Sequence, residues 1–293
     1  MKPRTRGVRP GTGHRLTRGL LAWAAVVVTL LATAGCDQAA GSGIPRPDHI
    51  VVVIEGDQSY DAVIGSPDAP YLNQLAHKGA SLTQFYALTR PSQPNFLALF
   101  SGSFLGVDDD SCPHALTSRN LGSQLLQAGK SFVGYAQSMP RVGFTGCSSG
   151  AYVRRHNPWV NFDNLPASAN RPWTDFPRDF TDLPTVAFVV PDLDHDMHGG
   201  RVREGDTWLR DSLGAYADWA MTHNSLLVVT WDEDDGQGPN HIPTVLVGEH
   251  VRPGDDDQPN NQFGLLRMLV DAYDLKPLHH SADSEPVDVW DDD

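Results

Sequence analysis

Two short apolar runs in this chain lead directly into acidic residues, one at Glu55 and the other at Asp232. Runs of this length, rich in β-branched residues, are typical of strands that are buried on both faces of a parallel sheet. Asp57 and Glu233 follow the two runs within two residues. Open α/β sheets bind ligands beyond the carboxyl ends of their strands, so we expect these four carboxylates to share one cation site. Two unrelated solvated acidic turns are the alternative.

The order of the predicted elements indicates the fold class. Strand patterns alternate with helical patterns along the chain, which favours layers of helices around a parallel sheet. The predicted strands cover residues 49–55, 81–86, 131–135, 185–190, 225–231 and 244–247. The predicted helices cover residues 71–79, 95–100, 121–128, a segment after 206, and 263–273. We therefore predict an α/β fold with a mostly parallel central sheet flanked by helices, in one domain over residues 48–278.

The amino-terminal segment resembles an export signal. Its first 35 residues hold six basic residues and no acidic residue, and an apolar stretch at residues 20–34 ends just before Cys36. Residues 33–36, Thr-Ala-Gly-Cys, resemble a bacterial lipobox, which implies cleavage of the signal peptide 1–35 and a lipid on Cys36. Residues 36–47 then form a linker, and the protein is expected at the outer face of the cell membrane as a lipoprotein. Plain signal cleavage nearby is the alternative.

Charge restricts the partners of the mature chain. Without the signal peptide it holds 16 basic and 36 acidic residues, a formal net charge of −20. A surface of this sign repels phosphate backbones, so we expect no nucleic-acid partner. A site for an anionic small molecule needs a metal ion or a local cationic pocket. Residues 279–293 are rich in acids, and we predict a disordered tail there.

Two cysteines remain once Cys36 is assigned to the lipid. Cys112 and Cys147 form an even pair in an oxidising compartment, which predicts a disulfide. A metal-binding pair is the weaker alternative, because the two thiols lack the spacing of a zinc site.

Residues 89–96 form a proline-rich turn that opens a predicted helix and carries Ser92 and Asn95. A serine at a helix start lies beside amides that favour an oxyanion, and a nearby metal ion makes its hydroxyl a better nucleophile. Simple capping of the helix by Ser92 or Asn95 is the competing interpretation.

Two further segments carry groups suited to proton transfer or anion binding. Two histidines and three aspartates lie in residues 191–200, directly after a predicted strand. There they are suited to bind a metal ion or to exchange protons, and an ordinary acidic loop is the alternative. Residues 154–158 are a basic spot in an anionic domain and a candidate clamp for phosphoryl oxygens. His241 follows the second acidic strand end closely enough to turn back towards it.

Together these segments resemble the bacterial phosphoesterase family of the alkaline phosphatase superfamily, which includes acid phosphatases and phospholipases C. The resemblance covers nearly all of residues 48–275. It is carried, in chain order, by HIVVVIEGDQSYDAVIG, RPSQPNFLALFSG, YVRRHNP, VVPDLDHDMHGG, GDTWL and VVTWDEDDG with NHIPTVLVG.

The resemblance implies a metal-dependent hydrolase of phosphate esters that acts through a phosphoserine on Ser92. It implies that Glu55, Asp232 and Glu233 bind a divalent metal ion. Oxygen-rich ligation with some imidazole suits Ca²⁺, Mg²⁺, Mn²⁺, Fe or Zn²⁺, and the sequence does not select among them. Family members usually have Asn after that Glu, whereas this chain has Gly56, so either Asp57 substitutes or one ligand is absent.

The remaining site residues have less definite roles. His195 or His198 is expected to protonate the leaving alcohol, and His156 with Arg154 or Arg155 to orient the phosphoryl oxygens. Further active-site groups are expected at Asn95, Asp196 and His241. The expected substrate is a small phosphoester or a phospholipid. A surface lipoprotein that binds an envelope ligand without catalysis is the alternative, and a sulfatase is disfavoured because Cys112 and Cys147 lack a sulfatase motif.

Overall fold

The computed structural model describes residues 43–198 and 201–291. The predicted signal peptide, the predicted lipid attachment at Cys36 and the first part of the linker lie outside these residues. Residues 40–293 belong to one compact unit. Over the part of the chain that is described, no helix is both long and apolar enough to cross a membrane.

Twelve strands occur in the described residues. In chain order they are β1 His49–Glu55, β2 Ala80–Leu82, β3 Phe85–Tyr86, β4 Phe132–Ala136, β5 Ser148–Ser149, β6 Tyr152–Val153, β7 Asn170–Pro172, β8 Val186–Val190, β9 Ser225–Trp231, β10 Thr244–Gly248, β11 Gly254–Asp256 and β12 Asn260–Asn261. The same residues contain six α-helices. They are α1 Tyr60–Val63, α2 Pro70–Lys78, α3 Ser92–Ser101, α4 Leu121–Gln127, α5 Val202–Ala220 and α6 Gln262–Asp271.

Eight of these strands form the central sheet, in the order β11-β2-β10-β9-β1-β8-β4-β7. Strand β10 runs antiparallel to both of its neighbours, and the other pairs in the sheet are parallel. Helices flank this sheet, with α2 against α5 and α3 against α6. The prediction of a mostly parallel sheet flanked by helices is therefore confirmed.

The pairing of β1 with β9 positions the site. Both strands are buried almost throughout, as their continuous apolar sequences require in a sheet covered on both faces. They run parallel, and the last residue of β1, Glu55, pairs with the last residue of β9, Trp231. The acidic residues that follow the two strands therefore emerge at the same edge of the sheet.

A buried carboxylate fixes the start of helix α2. Asp206 on α5 accepts hydrogen bonds from the backbone N–H groups of Leu72 at 2.7 Å and Tyr71 at 3.1 Å. The first N–H groups of a helix have no partner within the helix, so this side chain caps α2 from a distant part of the sequence. Asp206 thus stabilises the helix start.

The described part of the predicted tail is ordered, so the prediction of a disordered segment from residue 279 is wrong for residues 279–291. A 3₁₀ helix covers His279–Asp283, and the side chains of Val287, Val289 and Trp290 are buried. Trp290 also forms an isolated bridge with Val251. The acidic composition concealed three apolar residues that lie among the acids and become buried.

Another acidic segment also takes part in the fold. Gly254–Asp256 forms strand β11 and pairs with β2 at one edge of the sheet. Polar and charged residues are tolerated on an edge strand because its outer side faces water.

The loop that follows α3 is linked covalently to the long irregular segment after β4. Cys112 and Cys147 form the predicted disulfide, with their Cα atoms 5.9 Å apart, and this confirms the pairing. The irregular segment also packs an indole ring against β4. A Cβ atom placed on Gly134 would lie only 2.1 Å from the ring of Trp159, so the ring occupies the space that a side chain would fill.

Candidate active site

Three carboxylates converge at the carboxyl edge of β1 and β9. Asp57, Asp232 and Glu233 each offer one oxygen, and these oxygens all lie within 4.8 Å of one another. Asp232 and Glu233 directly follow β9, whereas Asp57 lies in a left-handed conformation, with φ of 53°, two residues after β1. We call these three residues the acidic cluster.

Burial and mutual repulsion make the acidic cluster costly in its charged form. Burial raises the pKa of Asp232 well above its ordinary value, and the charges of Asp57 and Glu233 raise it further. Burial also raises the pKa of Glu233 to about 7, although the hydrogen bond from Ser92 opposes this shift. Oδ1 of Asp57 and Oδ2 of Asp232 are buried and have no hydrogen-bond partner among the described residues. Unpaired oxygen ligands held this close fit a hard divalent cation.

Glu55 lies beside the acidic cluster and is not one of the three residues whose oxygens converge. Its carboxylate is completely buried, and neither oxygen has a hydrogen-bond partner among the described residues. Burial raises its pKa well above the ordinary value, and the charges of Asp196, Asp206 and Asp232 add to this effect. Glu55 is the last residue of β1, and Asp57 follows it in the left-handed turn.

Gly56 stands where the resemblance implies Asn. A Cβ atom on Gly56 would lie 3.5 Å from the backbone oxygen of Asp196 and 3.5 Å from Oδ1 of Asp232, an ordinary contact distance. Position 56 therefore lies beside the acidic cluster. The next residue, Asp57, is the one that places an oxygen within 4.8 Å of those of Asp232 and Glu233.

Ser92 joins the acidic cluster from the start of helix α3. Its Oγ donates a hydrogen bond to Oε1 of Glu233 at 3.0 Å, and the residue is buried. Ser92 is the first residue of the helix, and Pro91 before it is the N-cap. The side chain therefore does not cap its own helix, and its hydroxyl is presented to the acids at the positive end of the helix dipole.

Asn95 holds the turn that precedes Ser92 and does not face the acidic cluster. Its Oδ1 accepts from the N–H groups of Leu88 at 3.2 Å and Thr89 at 3.1 Å, and its Nδ2 donates to the oxygen of Thr89 at 2.7 Å. Both ends of the amide are used in this way. The expectation that Asn95 is an active-site contact is therefore replaced by a role in fixing the loop.

The basic spot divides into an inner and an outer arginine. Arg154 points inward and donates to Asn161 and to three backbone oxygens, so it is a structural residue. Arg155 keeps its predicted place near the site, where its Nε lies 3.5 Å from Oδ2 of Asp110. Oδ1 of Asp110 accepts a hydrogen bond at 3.0 Å from the backbone N–H of Gln93, the residue after Ser92.

The histidines at residues 156 and 198 lie close to the acids. His198 pairs through Nδ1 with a carboxylate oxygen of Asp57, and its backbone N–H donates to Oδ1 of Asp196 at 3.0 Å. Nδ1 of His156 lies 3.6 Å from Oδ2 of Asp196, and its ring stacks on Phe96 at 5.2 Å between centroids. Burial lowers the pKa of His156 to about 3, and positive neighbours contribute, so its ring is neutral at physiological pH.

Two other predicted histidines are engaged elsewhere. Nδ1 of His195 lies 2.8 Å from Oδ1 of Asp192 and 3.0 Å from Nε2 of Gln137, and it either donates to the carboxylate or accepts from the amide. His241 bonds to the backbone oxygen of Thr83 at 3.0 Å, and its ring is stacked on the rings of two tyrosines. The structure does not bring either residue to the acidic cluster, because each imidazole is already held by local partners.

Sequence reasoning missed two residues near the site. Arg90 pairs with buried Asp234, whose carboxylate also accepts N–H groups from Gly236 and Asn240 and so shapes the loop after Glu233. The position of Arg90 in the serine-bearing turn was an available signal. Asp110 was missed because it lies in a run of three aspartates that looks like an ordinary solvated loop.

Comparisons with known proteins identify the family of this chain. The model of the phosphoesterase family matches residues 65–276. A phosphatidylinositol-3-phosphatase from Mycobacterium tuberculosis is 46% identical over 257 residues, which cover 86% of each chain. An acid phosphatase from Aspergillus fumigatus is 31% identical over 70% of this chain and 50% of its own length.

Solved structures share the fold at low sequence identity. A protein of the alkaline phosphatase superfamily from Vibrio parahaemolyticus is 15% identical, with a TM-score of 0.51 over 77% of this chain and 66% of that one. A phosphonate monoester hydrolase from Silicibacter pomeroyi is 11% identical, with a TM-score of 0.55 over 82% and 76% of the two chains. On its match to the family model and to a closely similar phosphatase, this chain belongs to the phosphoesterase family, whose members hydrolyse phosphoric esters.

Proposed function

We propose that this enzyme hydrolyses phosphate monoesters through attack of Ser92 on phosphorus, with the acidic cluster holding a divalent cation. The observation that carries the proposal is the 3.0 Å hydrogen bond from Ser92 Oγ to Glu233, a member of the cluster. A nucleophile beside converging carboxylates at a helix start is suited to phosphoryl transfer, in which positioning and charge stabilisation dominate.

The acidic cluster has the donor set for such a cation, because its oxygens converge and two of them are unpaired and buried. A bound divalent ion supplies positive charge that stabilises the phosphoryl oxygens and lowers the pKa of a nearby hydroxyl. The oxygen-rich set suits Mg²⁺, Mn²⁺ and Ca²⁺ best among the candidates.

The residues around Ser92 divide the remaining work. Oε1 of Glu233 accepts the hydroxyl hydrogen bond and so orients a lone pair of Ser92 towards the substrate. The backbone N–H of Gln93 and the guanidinium of Arg155 lie next to each other, both in contact with Asp110, and are suited to bind phosphoryl oxygens. His198 is paired with Asp57 and is partly exposed, which suits a group that protonates the leaving alcohol.

The steps follow from these positions. Oγ of Ser92 gives its proton to Oε1 of Glu233 and forms a bond to phosphorus, while the bond to the ester oxygen breaks and that oxygen takes a proton from His198. A water molecule then attacks the phosphoserine and gives a proton to His198, and the departing Oγ recovers its proton from Glu233, which restores the hydroxyl and releases inorganic phosphate.

Similarity favours a phosphorylated lipid headgroup as the substrate. The relative that is 46% identical is named for its action on phosphatidylinositol 3-phosphate. A lipid on Cys36 with a short linker would hold the enzyme beside a bilayer at the outer face of the cell membrane. The mature protein has a formal net charge of −20, so an anionic membrane surface repels it. The lipid anchor would offset this repulsion.

The test is turnover by purified protein that begins after residue 36. Hydrolysis of an aryl phosphate is measured after EDTA treatment and after addition of Mg²⁺, Mn²⁺, Ca²⁺ or Zn²⁺. Ser92→Ala is expected to lose roughly 10³-fold or more in kcat, as nucleophile removal does elsewhere. Ser101→Ala at the far end of the same helix is the control, because its hydroxyl bonds only to backbone oxygens.

Two results would contradict the proposal. One is activity that survives both EDTA and Ser92→Ala. The other is the absence of turnover with every metal, which would favour a binding protein. Mass spectrometry of acid-quenched enzyme for a phosphate on Ser92, and a comparison of phosphatidylinositol 3-phosphate vesicles with a soluble headgroup phosphate, then test the intermediate and the lipid preference.

A further inference from the structure

Asp110 makes contacts that a substrate phosphoryl group would be expected to make. One of its carboxylate oxygens accepts from the N–H of Gln93 at 3.0 Å, and the other lies 3.5 Å from Nε of Arg155. Gln93 directly follows Ser92 in the first turn of α3, where backbone N–H groups bind anions. A carboxylate in this position therefore uses the same donors that we assign to phosphoryl oxygens.

The loop that carries Asp110 is anchored firmly on both sides. Nε2 of buried Gln93 donates to the backbone oxygens of Asp109 and Ser111, each at 2.9 Å. The disulfide between Cys112 and Cys147 then ties the loop to the segment that leads to Arg155. Because the backbone on either side of Asp110 is held, its carboxylate stays beside Ser92 unless the side chain itself rotates.

The Asp110 side chain has room to make that rotation. It is 35% exposed and the side chain of Arg155 is 27% exposed, so solvent reaches the pair. Nε of Arg155 has no hydrogen-bond partner within the described residues, and its contact with Asp110 is an ion pair only. A better acceptor, such as a phosphoryl oxygen, would therefore improve the position of this donor.

The charge of Asp110 also reaches the acidic cluster. Burial is the main cause of the raised pKa of Glu233, and the charges of Asp57 and Asp110 add to it. Asp110 thus lies within electrostatic range of the place where the reacting phosphate binds.

We propose that Asp110 is an internal competitor for the phosphoryl-oxygen site, which substrate must displace and which returns as inorganic phosphate leaves. The proposal rests on the proposed function for the position of the substrate. An internal occupant lowers the apparent affinity by the fraction of molecules whose site is free. Asp110 therefore weakens the binding of phosphate, which limits inhibition by the product. It acts on binding at the phosphoryl-oxygen site and not on the bond-making step.

The first experiment measures binding of inorganic phosphate by calorimetry, in protein loaded with Mg²⁺ and carrying Ser92→Ala. Asp110→Asn and Asp110→Ala are each expected to tighten phosphate binding by roughly tenfold, the usual scale of one charge-assisted hydrogen bond. Asp108→Asn removes the same charge from an exposed position of the same loop and is expected to change binding less than twofold.

A second experiment separates specific competition from general charge removal. The gain from Asp110→Asn is measured again with Arg155→Gln, and it is expected to shrink to less than about threefold because one of the freed donors is gone. In the background with Ser92 intact, Asp110→Asn is expected to lower KM for an aryl phosphate more than it changes kcat.

Three results would overturn the proposal. They are unchanged phosphate affinity in both Asp110 variants, an equal gain in Asp108→Asn, or a full gain that persists with Arg155→Gln. Phosphate binding is measured without turnover, so the outcomes separate. If the Asp110 variants bind phosphate more tightly but the protein hydrolyses no phosphoester, the proposal about Asp110 stands and the proposed hydrolysis is refuted. If the enzyme is active but phosphate affinity is unchanged in the Asp110 variants, only the proposal about Asp110 is refuted.

Discussion

Glu233 makes the stability of the cation-free protein depend on pH in a defined direction. Burial raises its pKa from 4.5 to about 7 in the folded protein. An acid with a raised pKa binds its proton more tightly when folded, so the folded state is favoured at low pH and loses that advantage as the pH rises from about 4.5 to about 7. Each pH unit in this window corresponds to about 1.4 kcal/mol, so the loss is about 3 kcal/mol.

The perturbation that isolates this effect is Glu233→Gln, which keeps an oxygen for the Ser92 hydrogen bond and cannot ionise. Without cations, we expect the variant to match the wild type near pH 4.5 and to exceed it by about 3 kcal/mol at pH 8. Added Mg²⁺ should reverse the order at pH 8, because it stabilises the charged cluster of the wild type and has a poorer ligand in the variant.

The assay is urea unfolding in EDTA and in Mg²⁺ at several pH values from about 4.5 to 8. Glu204→Gln on the exposed side of α5 is the matched control and should follow the wild type within about 0.5 kcal/mol. A variant whose free energy of unfolding runs parallel to the wild type across this range would refute the reasoning, as would a failure of Mg²⁺ to stabilise the wild type.

Three further predictions concern the disulfide, the packing at Gly134 and the role of His195. Replacement of both Cys112 and Cys147 by Ser should lower the free energy of unfolding by about 4 kcal/mol, because the unfolded chain is no longer closed into a loop between cysteines 35 residues apart. Urea unfolding measures this difference, and an unchanged free energy of unfolding after reduction of the wild type would contradict it. Gly134→Ala should destabilise the fold by about 2–3 kcal/mol, because its Cβ would collide with the ring of Trp159, and a Tm equal to that of the wild type would contradict the packing. His195→Ala should lower kcat for an aryl phosphate by less than tenfold, whereas a loss of roughly 10²–10⁴ would identify it as the general acid after all.

Much of the fold was predictable because its strands carry a simple signal. The apolar runs that form β1 and β9 are buried on both faces, and their predicted bounds, residues 49–55 and 225–231, agree with the structure. Strand β7 was not predicted, since it is three residues long and contains a proline. Strand β11 was also missed, because an edge strand needs no apolar face and its acids resemble a loop.

The candidate site was predictable where its residues follow directly from a strand or a helix start. Asp57, Asp232 and Glu233 converge because parallel strands end at one edge, and Ser92 meets them because it begins α3. Glu55 was expected in the same site, but its oxygens are not among those that converge. The direction of a side chain at the last position of a strand depends on backbone angles that the sequence does not show.

The histidines show a different limit of sequence reasoning. His195 and His198 are three residues apart in one loop, yet one bonds to Asp192 and the other pairs with Asp57. Loop dihedrals decide between such outcomes, and Met197 between the two histidines adopts a positive φ of 66° that no residue type would suggest. Asp110 was hidden for a similar reason, because its importance comes from the fold of its loop.

The left-handed backbone at Asp57, with φ of 53°, has a consequence for any mutational survey of this enzyme. Asparagine, aspartate and glycine adopt this conformation readily, whereas alanine and β-branched residues lose roughly 1 kcal/mol or more. An alanine scan would therefore mix backbone strain with loss of an oxygen donor at this position. Asp57→Asn and Asp57→Gly separate the two contributions, and a library selected for activity should retain only short side chains that tolerate the turn.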